Sequence, residues 1–158
     1  MGRFMRKGIT RWYFVPSIAS GSLVPTAAEV NAGTRVDGQL AEVNGFSFQN
    51  NPIMVPDMST TYTSQIGGED SSDDSSMVFY EDQTSNPIRT ALAKGTAGFM
   101  VIFKSGVAGA SPAAGDKADV WPTTITSNAA QYTADNEAAK YMVSMAITAR
   151  PVADITVT

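Results

Sequence analysis

Short runs rich in β-branched and aromatic residues, separated by turn residues, recur from one end of this chain to the other. A sequence of that kind builds sheets rather than helical bundles. Ile9 to Val15 is the first run and stops at Pro16-Ser17. Gln39 to Gln49 is the second; its alternation breaks near Gly45, which predicts a bulge with Phe46 and Phe48 on one face beyond it. Met77 to Glu81 follows, then Ala97 to Lys104, a strand of the buried type, and Asp119 to Ser127, where Pro122 predicts an edge or bulge position because it has no amide proton to donate. Lys140 to Ala149 alternates, with Tyr141, Val143, Met145 and Ile147 facing one way, and Val152 to Thr158 reads as a last strand or a loose tail.

Helical signals are few. Thr26-Ala-Ala-Glu29 has the capping-box pattern of a two-turn helix that Gly33 would end, and Asp37-Gly38 marks a turn. Asn86 to Gly95 is the clearest helix: Asn86 as cap, Pro87 in the first turn, Ile88, Ala91 and Leu92 as an apolar stripe, Lys94 against the dipole and Gly95 as stop. The 158 residues suit one domain spanning 1–158, mainly β with a short helix packed on it.

The chain has neither His nor Cys. This removes Ser-His-Asp and Cys-His catalysis, disulfides, zinc-thiolate sites and His-ligated metals, and leaves carboxylates, Lys and Tyr as chemical groups. The remaining motifs carry little chemistry. Gly67-Gly68 and Gly106 to Gly109 lack the Lys and the strand-to-helix context of a phosphate loop. Asp70-Ser-Ser-Asp73-Asp74 lacks the central Gly and the bidentate Glu of a calcium loop. Glu81 and Asp82, as neighbours on a strand, point to opposite faces. Trp12, Tyr13 and Phe14 read as core and sheet-face residues. No catalytic, cofactor or metal residue is therefore assigned. The basic start is not followed by the apolar stretch of a secretory signal, Arg6 stands where a myristoylation signal has Ser or Thr, and no apolar run approaches a membrane span. The expectation is a soluble chain made in a cytoplasm, with no membrane partner.

Charge is segregated along the chain. Arg3, Arg6, Lys7 and Arg11 crowd the start, and residues 1–8 read as a flexible basic arm. Between Arg35 and Arg89 there is no Lys or Arg, while Asp37, Glu42, Asp57, Glu69, Asp70, Asp73, Asp74, Glu81 and Asp82 all fall there. The acidic block is either a solvated loop or one of two complementary surfaces between copies, the bases meeting Glu69 to Asp74 of another copy. The net charge of −4 argues against binding nucleic acid by phosphate neutralisation.

Asn50 to Ser76 is too long for a plain connection and too apolar for a solvent tail, with Ile53, Met54, Val55, Met58, Tyr62 and Ile66 among its Ser, Thr and Gly. Thr60 to Ile66 is a possible short strand within it. The segment reads as an arm that buries its apolar side on another subunit and gains its order there; a hairpin folded onto its own domain is the alternative.

Several stretches in order, Trp12-Tyr-Phe-Val-Pro16, Glu42 to Phe48, Ser64 to Gly68, Ser75 to Asp82, Ile88 to Gly98, Asp119 to Pro122 and Met145 to Thr148, together resemble the major tail tube protein of long-tailed bacteriophages, most closely the versions in actinobacterial phages. The resemblance spans most of the chain. It implies a β-sandwich or flattened barrel with one short flanking helix and a long extended loop, residues 50–76 serving as the inter-subunit loop. It also implies hexameric rings that stack into a tube, DNA passing through the lumen without specific binding, other tail proteins at the tube ends, and a place in the virion. A non-catalytic β-sandwich module that binds carbohydrate or protein is the alternative function. A carboxylate hydrolase would need two carboxyl groups about 5 to 9 Å apart in a cleft.

Overall fold

A computed structural model describes residues 2–158; Met1, the first residue of the expected basic arm, lies outside the described residues. In chain order the elements are β1 (Arg11–Val15), α1 (Ala27–Ala32), β2 (Thr34–Arg35), β3 (Leu40–Asn44), β4 (Phe48–Asn50), β5 (Ile53–Val55), β6 (Ser64–Ile66), β7 (Asp70–Ser72), β8 (Ser75–Tyr80), α2 (Pro87–Ala91), β9 (Ala97–Phe103), β10 (Lys117–Gln131), β11 (Lys140–Ile147) and β12 (Val152–Thr156). Eight strands form one antiparallel sheet in the order β2-β1-β9-β10-β11-β8-β3, with β12 also on β10.

The sheet folds over on itself along β10. The first part of that strand pairs with β9 and β12. The second part pairs with β11, and the register shifts between Ile125 and Ser127. A bulge of this kind bends a strand and increases its twist. The two halves face each other across one core: Phe14, Met100, Ile102 and Trp121 from one side meet Met77, Phe79, Tyr141, Val143 and Met145 from the other, closed at one end by Ile88 and Leu92 of the α2 region. The architecture is thus mainly β and sandwich-like.

A second core lies on the outer face of β1, β9 and β10, where Tyr13, Val15, Val101, Phe103, Ala118 and Val120 are covered by Val30 of α1 and by Ile155 and Val157 at the C-terminal end. Both faces of β9 are therefore buried, which is why its sequence, Phe99-Met-Val-Ile-Phe103, is continuously apolar rather than alternating. Each such side chain contributes about 1.5 to 3 kcal/mol by leaving water.

Local signals behave as their chemistry requires, with some displacement. The capping box forms: the Glu29 amide donates to Thr26 Oγ1 at 3.2 Å and the Thr26 amide to Glu29 Oε2 at 2.8 Å. Gly33 ends α1 by donating to Val30 O at 3.0 Å. β1 starts at Arg11 rather than Ile9, because the Ile9 and Thr10 amides both turn back to the Arg6 carbonyl, at 3.0 and 2.9 Å. The helix expected over Asn86 to Gly95 is shorter. Asn86 makes no side-chain cap; its Oδ1 and Nδ2 instead bind the Asp82 backbone. At the other end the sheet takes over the chain: Gly95 donates to Ile125 O at 2.8 Å, and Asn128 Nδ2 donates to the Arg89 and Leu92 carbonyls at 3.1 and 2.9 Å. Lys94 therefore lies past the helix, and Arg89 is the base of its last turn.

Pro122 is not at an edge, since β10 is central and the proline pairs with Phe99 of β9. Its carbonyl accepts from the Thr148 amide at 3.0 Å, on the side where the partner changes from β12, which pairs through Val120, to β11, which pairs from Thr123. The missing N–H faces that change-over, so no ladder bond is lost. Phe46 and Phe48 do not share a face either. Phe46 packs on the inner core and Phe48 is exposed, because the chain reverses at Gly45 (φ +87°) and Phe46 itself (φ +55°).

Candidate assembly surfaces

The chain leaves the sandwich at Gly45. A Cβ there would lie 2.7 Å from the Asp74 carbonyl, so the crossing of the outgoing and returning strands requires glycine. Phe46 is fixed beside it by its amide, which donates to Ser75 Oγ at 2.9 Å. Beyond this root the strands pair as β4–β7, from Phe48–Ser72 to Asn50–Asp70, and then as β5–β6, from Ile53–Ile66 to Val55–Ser64. Between the two stages Asn50 acts as a clasp: Nδ2 donates to Gly68 O at 2.9 Å and Asp70 Oδ1 at 2.7 Å, and Oδ1 accepts from the Gly68 amide at 3.2 Å. The segment expected as a long loop is thus a two-stage ribbon. The strand expected over Thr60 to Ile66 shortens to β6, because Asp57, Ser59, Thr60 and Tyr62 close local turns at the tip.

The six apolar residues singled out on this arm all lie in the open. Ile53, Met54, Val55 and Ile66 are exposed on the ribbon, and at the tip Met58 is 104% and Tyr62 76% exposed. None belongs to either core. The arm does not fold onto its own sandwich.

The charged residues singled out have mixed surroundings. Arg3, Arg6 and Lys7 are exposed on the N-terminal stretch. Arg11 is drawn to Asp37 at 3.6 Å, beside the Arg35–Asp37 pair at 2.8 Å. Burial by itself would raise the Asp37 carboxyl, but the Arg35 hydrogen bonds, the Trp12 amide and the two guanidinium charges outweigh it and hold the group below its ordinary value. On the arm root, Asp70 lies 3.8 Å from Arg150, and Asp73 accepts from Ser47 Oγ at 2.6 Å and Gln49 Nε2 at 2.8 Å. Glu69 and Asp74 are exposed. Among the described residues no ion pair joins the N-terminal bases to Glu69–Asp74 within one chain.

Two features escaped sequence reasoning. Arg150 lies over the Phe48 ring, 5.4 Å from its centroid, and ties the arm root to the segment after β11. The second is a cleft of about 640 Å³ between β1 and β3, the two sides of the sandwich that do not pair. Phe46 lines it, edge-to-face with Trp12 at 5.4 Å and Trp121 at 5.6 Å. Trp12 reads from the sequence as a core or sheet-face residue, but nothing local to it says that this end of the sandwich stays open.

Chemistry is sparse elsewhere. Among the described residues no group of three or more acids is placed to hold a metal ion. Glu81 is bound to Arg89 at 2.7 Å and Asp82 accepts from the Thr84 and Ser85 amides, so the adjacent carboxylates are separately occupied. Among the described residues no helix is long and apolar enough to cross a membrane.

The arm and the open cleft are the two surface features that stand out. A family model described as phage tail tube protein matches residues 1–158. The chain belongs to that family. It is a structural subunit of a phage tail tube, a component of the virion tail and not an enzyme. No curated protein sequence matches it. Among solved structures, a chain of the anti-feeding prophage baseplate, a sixfold-symmetrised cryo-EM structure, superimposes with a TM-score of 0.62 at 6% identity, covering 97% of this chain and 98% of that one. A chain from the tail of an empty GTA particle, computed with helical refinement and C6 symmetry, gives 0.55 at 12% identity, with 96% and 98% covered. At these identities the likeness is one of fold.

Proposed function

We propose that this tail tube subunit assembles into stacked hexameric rings and that the arm, residues 50–76, is the element that joins copies. The observation that carries the reading is the ribbon of six uncovered apolar side chains. A two-stranded hairpin is marginal in water by itself, and ordering each residue costs about 1 to 2 kcal/mol, so burial on another subunit is needed to hold it. The anti-feeding prophage baseplate is sixfold-symmetrised and the GTA tail has C6 symmetry, which favours six copies per ring. Residues 1–158 act as one building unit. Arg3, Arg6 and Lys7 meet Glu69 to Asp74 of another copy, with Arg11 contributing less because Asp37 already engages it. DNA passes through the lumen without specific binding, since a subunit of net charge −4 whose exposed N-terminal bases are taken up by acids of other copies does not trap a polyanion. The first and last rings offer the same surfaces to other tail proteins.

Negative-stain microscopy of the purified protein at high concentration tests this, beside a variant lacking Ile53 to Ile66. The full chain is expected to form rings or tubes. The deletion variant is expected to keep its β-sheet circular dichroism and its cooperative melt but to stay unassembled. Tubes from the deletion variant would show that the arm is not the joining element, and persistent monomers of the full chain would remove the self-assembly reading.

A further inference from the structure

We infer that the tip of each arm seats in the aromatic cleft of another copy, with Met58 and Tyr62 against Trp12, Phe46 and Trp121 and with Asp57 toward the basic rim. The inference rests on the tube reading above and assigns the receiving surface, which that reading leaves open.

The argument begins with what a repeating contact requires. When identical subunits join head to tail, an apolar projection must find its complement elsewhere on the same chain, and such a contact repeats as a ring or an open stack. Three other concavities are smaller, at about 270, 430 and 360 Å³, and polar or charged side chains make up more than half of the lining residues of each. The cleft between β1 and β3 is large enough for two or three side chains and presents aromatic faces and edges at its centre. A methionine thioether and a tyrosine ring both suit such walls, Met through sulfur–aromatic contact and Tyr through edge-to-face packing.

A chain cannot fill its own cleft with its own tip while the ribbon stays paired. Phe46 lies in the cleft wall two residues before β4, so the arm starts beside the cleft and leads away from it. Met58 then lies up to about 40 Å along the strand from Phe46, at ~3.3 Å per residue. None of residues 53–66 lines the cleft. The tip therefore meets the cleft of a second copy displaced by up to about that reach, which gives the contact a direction.

Charge agrees with this occupant. The arm carries acids and no base, because no Lys or Arg lies between Arg35 and Arg89. Arg6 and Lys7 stand at the cleft and, among the described residues, neither forms an ion pair, so these bases take Asp57 of the seated tip from one copy as well as Glu69 to Asp74 of a different copy. Asp57, next to Met58, is the tip's carboxylate, and the Ser59 hydroxyl and amide keep it below its ordinary value and therefore charged.

Cysteine pairing tests the seat, and the chain has no cysteine of its own to confuse the result. Full-length protein carrying Met58→Cys, with a size tag, is mixed with untagged protein carrying Lys7→Cys, assembled and oxidised. Tyr132→Cys, a fully exposed position away from the cleft, is the control partner. The mixed dimer with Lys7→Cys is expected to exceed that with Tyr132→Cys by roughly tenfold or more, since seating raises the local thiol concentration. Assembled particles in which Met58→Cys pairs no better with Lys7→Cys than with Tyr132→Cys would overturn the seat and leave the tube reading standing. Cross-linking to Lys7→Cys without rings or tubes would keep the seat and overturn the tube reading. Neither assembly nor cross-linking would overturn both.

Discussion

Gly68 sits at the waist of the arm, where a Cβ would fall 1.9 Å from the Asn51 carbonyl oxygen. Backbone cannot yield by that much without breaking the Asn50 clasp and the Asn51–Glu69 bond at 2.8 Å. Gly68→Ala is therefore expected to misalign β5 and β6 while leaving both cores intact. Its melting temperature should match that of the parent, within the ±0.5 kcal/mol usual for surface changes, while assembly measured by light scattering fails. A large drop in melting temperature would show that the arm supports the sandwich. Tyr141 poses the opposite question inside the core. Its ring is fully buried and stacked on Phe79 at 5.5 Å, and its hydroxyl is buried without a hydrogen-bond partner among the described residues. Burial pushes this phenol up to about 12, so it stays neutral across the working range. Desolvating an unpaired hydroxyl costs about 1 to 3 kcal/mol. Tyr141→Phe removes that cost at nearly constant shape, so urea denaturation should show equal or greater stability. A loss of more than about 1 kcal/mol would mean that the hydroxyl is engaged after all.

At the scale of elements, α2 is short but well anchored. Ile88 is 5% exposed and Leu92 is fully buried against the inner core. Leu92→Ala should cost about 2 to 5 kcal/mol, read as a fall in the denaturation midpoint at unchanged slope. No change in the midpoint would place this region outside the core. The stripe of Ile88 and Leu92 was legible because spacing and burial go together on a helix. The helix length was not, since its end is decided by Gly95 and Asn128 bonding across to and from β10. The same division holds for the strands. Alternation in Tyr141, Val143 and Met145 is a local record of one buried face. Whether Pro122 lies at an edge depends on which strands flank β10, and no feature within Asp119 to Ser127 carries that information. The arm was legible as an uncovered apolar segment from composition, but not as a ribbon. Its pairing is set by Gly45, Asn50 and Gly68, whose roles appear only when the two strands are brought together. The cleft was the least legible, because it is the space left between β1 and β3.

For the molecule as a whole, the segregation of charge survives folding. Arg3, Arg6 and Lys7 remain exposed, Arg6 and Lys7 at the open cleft, while Glu69 to Asp74 stand at the root of the arm, engaged among the described residues by Arg150, at 3.8 Å, and by neutral donors. Among the described residues the two groups make no ion pair within one chain. Each exposed pair between copies is worth only about 0 to 1 kcal/mol. A tube repeats the contact at every subunit, so small terms still decide whether rings stack and in which register. Assembly followed by light scattering should therefore weaken as NaCl rises past roughly 0.15 M, where the screening length is about 8 Å. The apolar part of the arm responds in the opposite sense and strengthens in sulfate. Changing Asp70, Asp73 and Asp74 to Asn keeps the hydrogen-bond acceptors for Asn50, Ser47 and Gln49 and removes only charge. The fold should be kept, because the one ion pair lost, Asp70–Arg150, is exposed. The triple variant should assemble more slowly than the parent at low salt and show a flatter NaCl dependence, with its sulfate response unchanged. If it assembles at the parent's rate with the parent's salt dependence, the charge segregation serves the solubility of the free subunit and not the contact between copies.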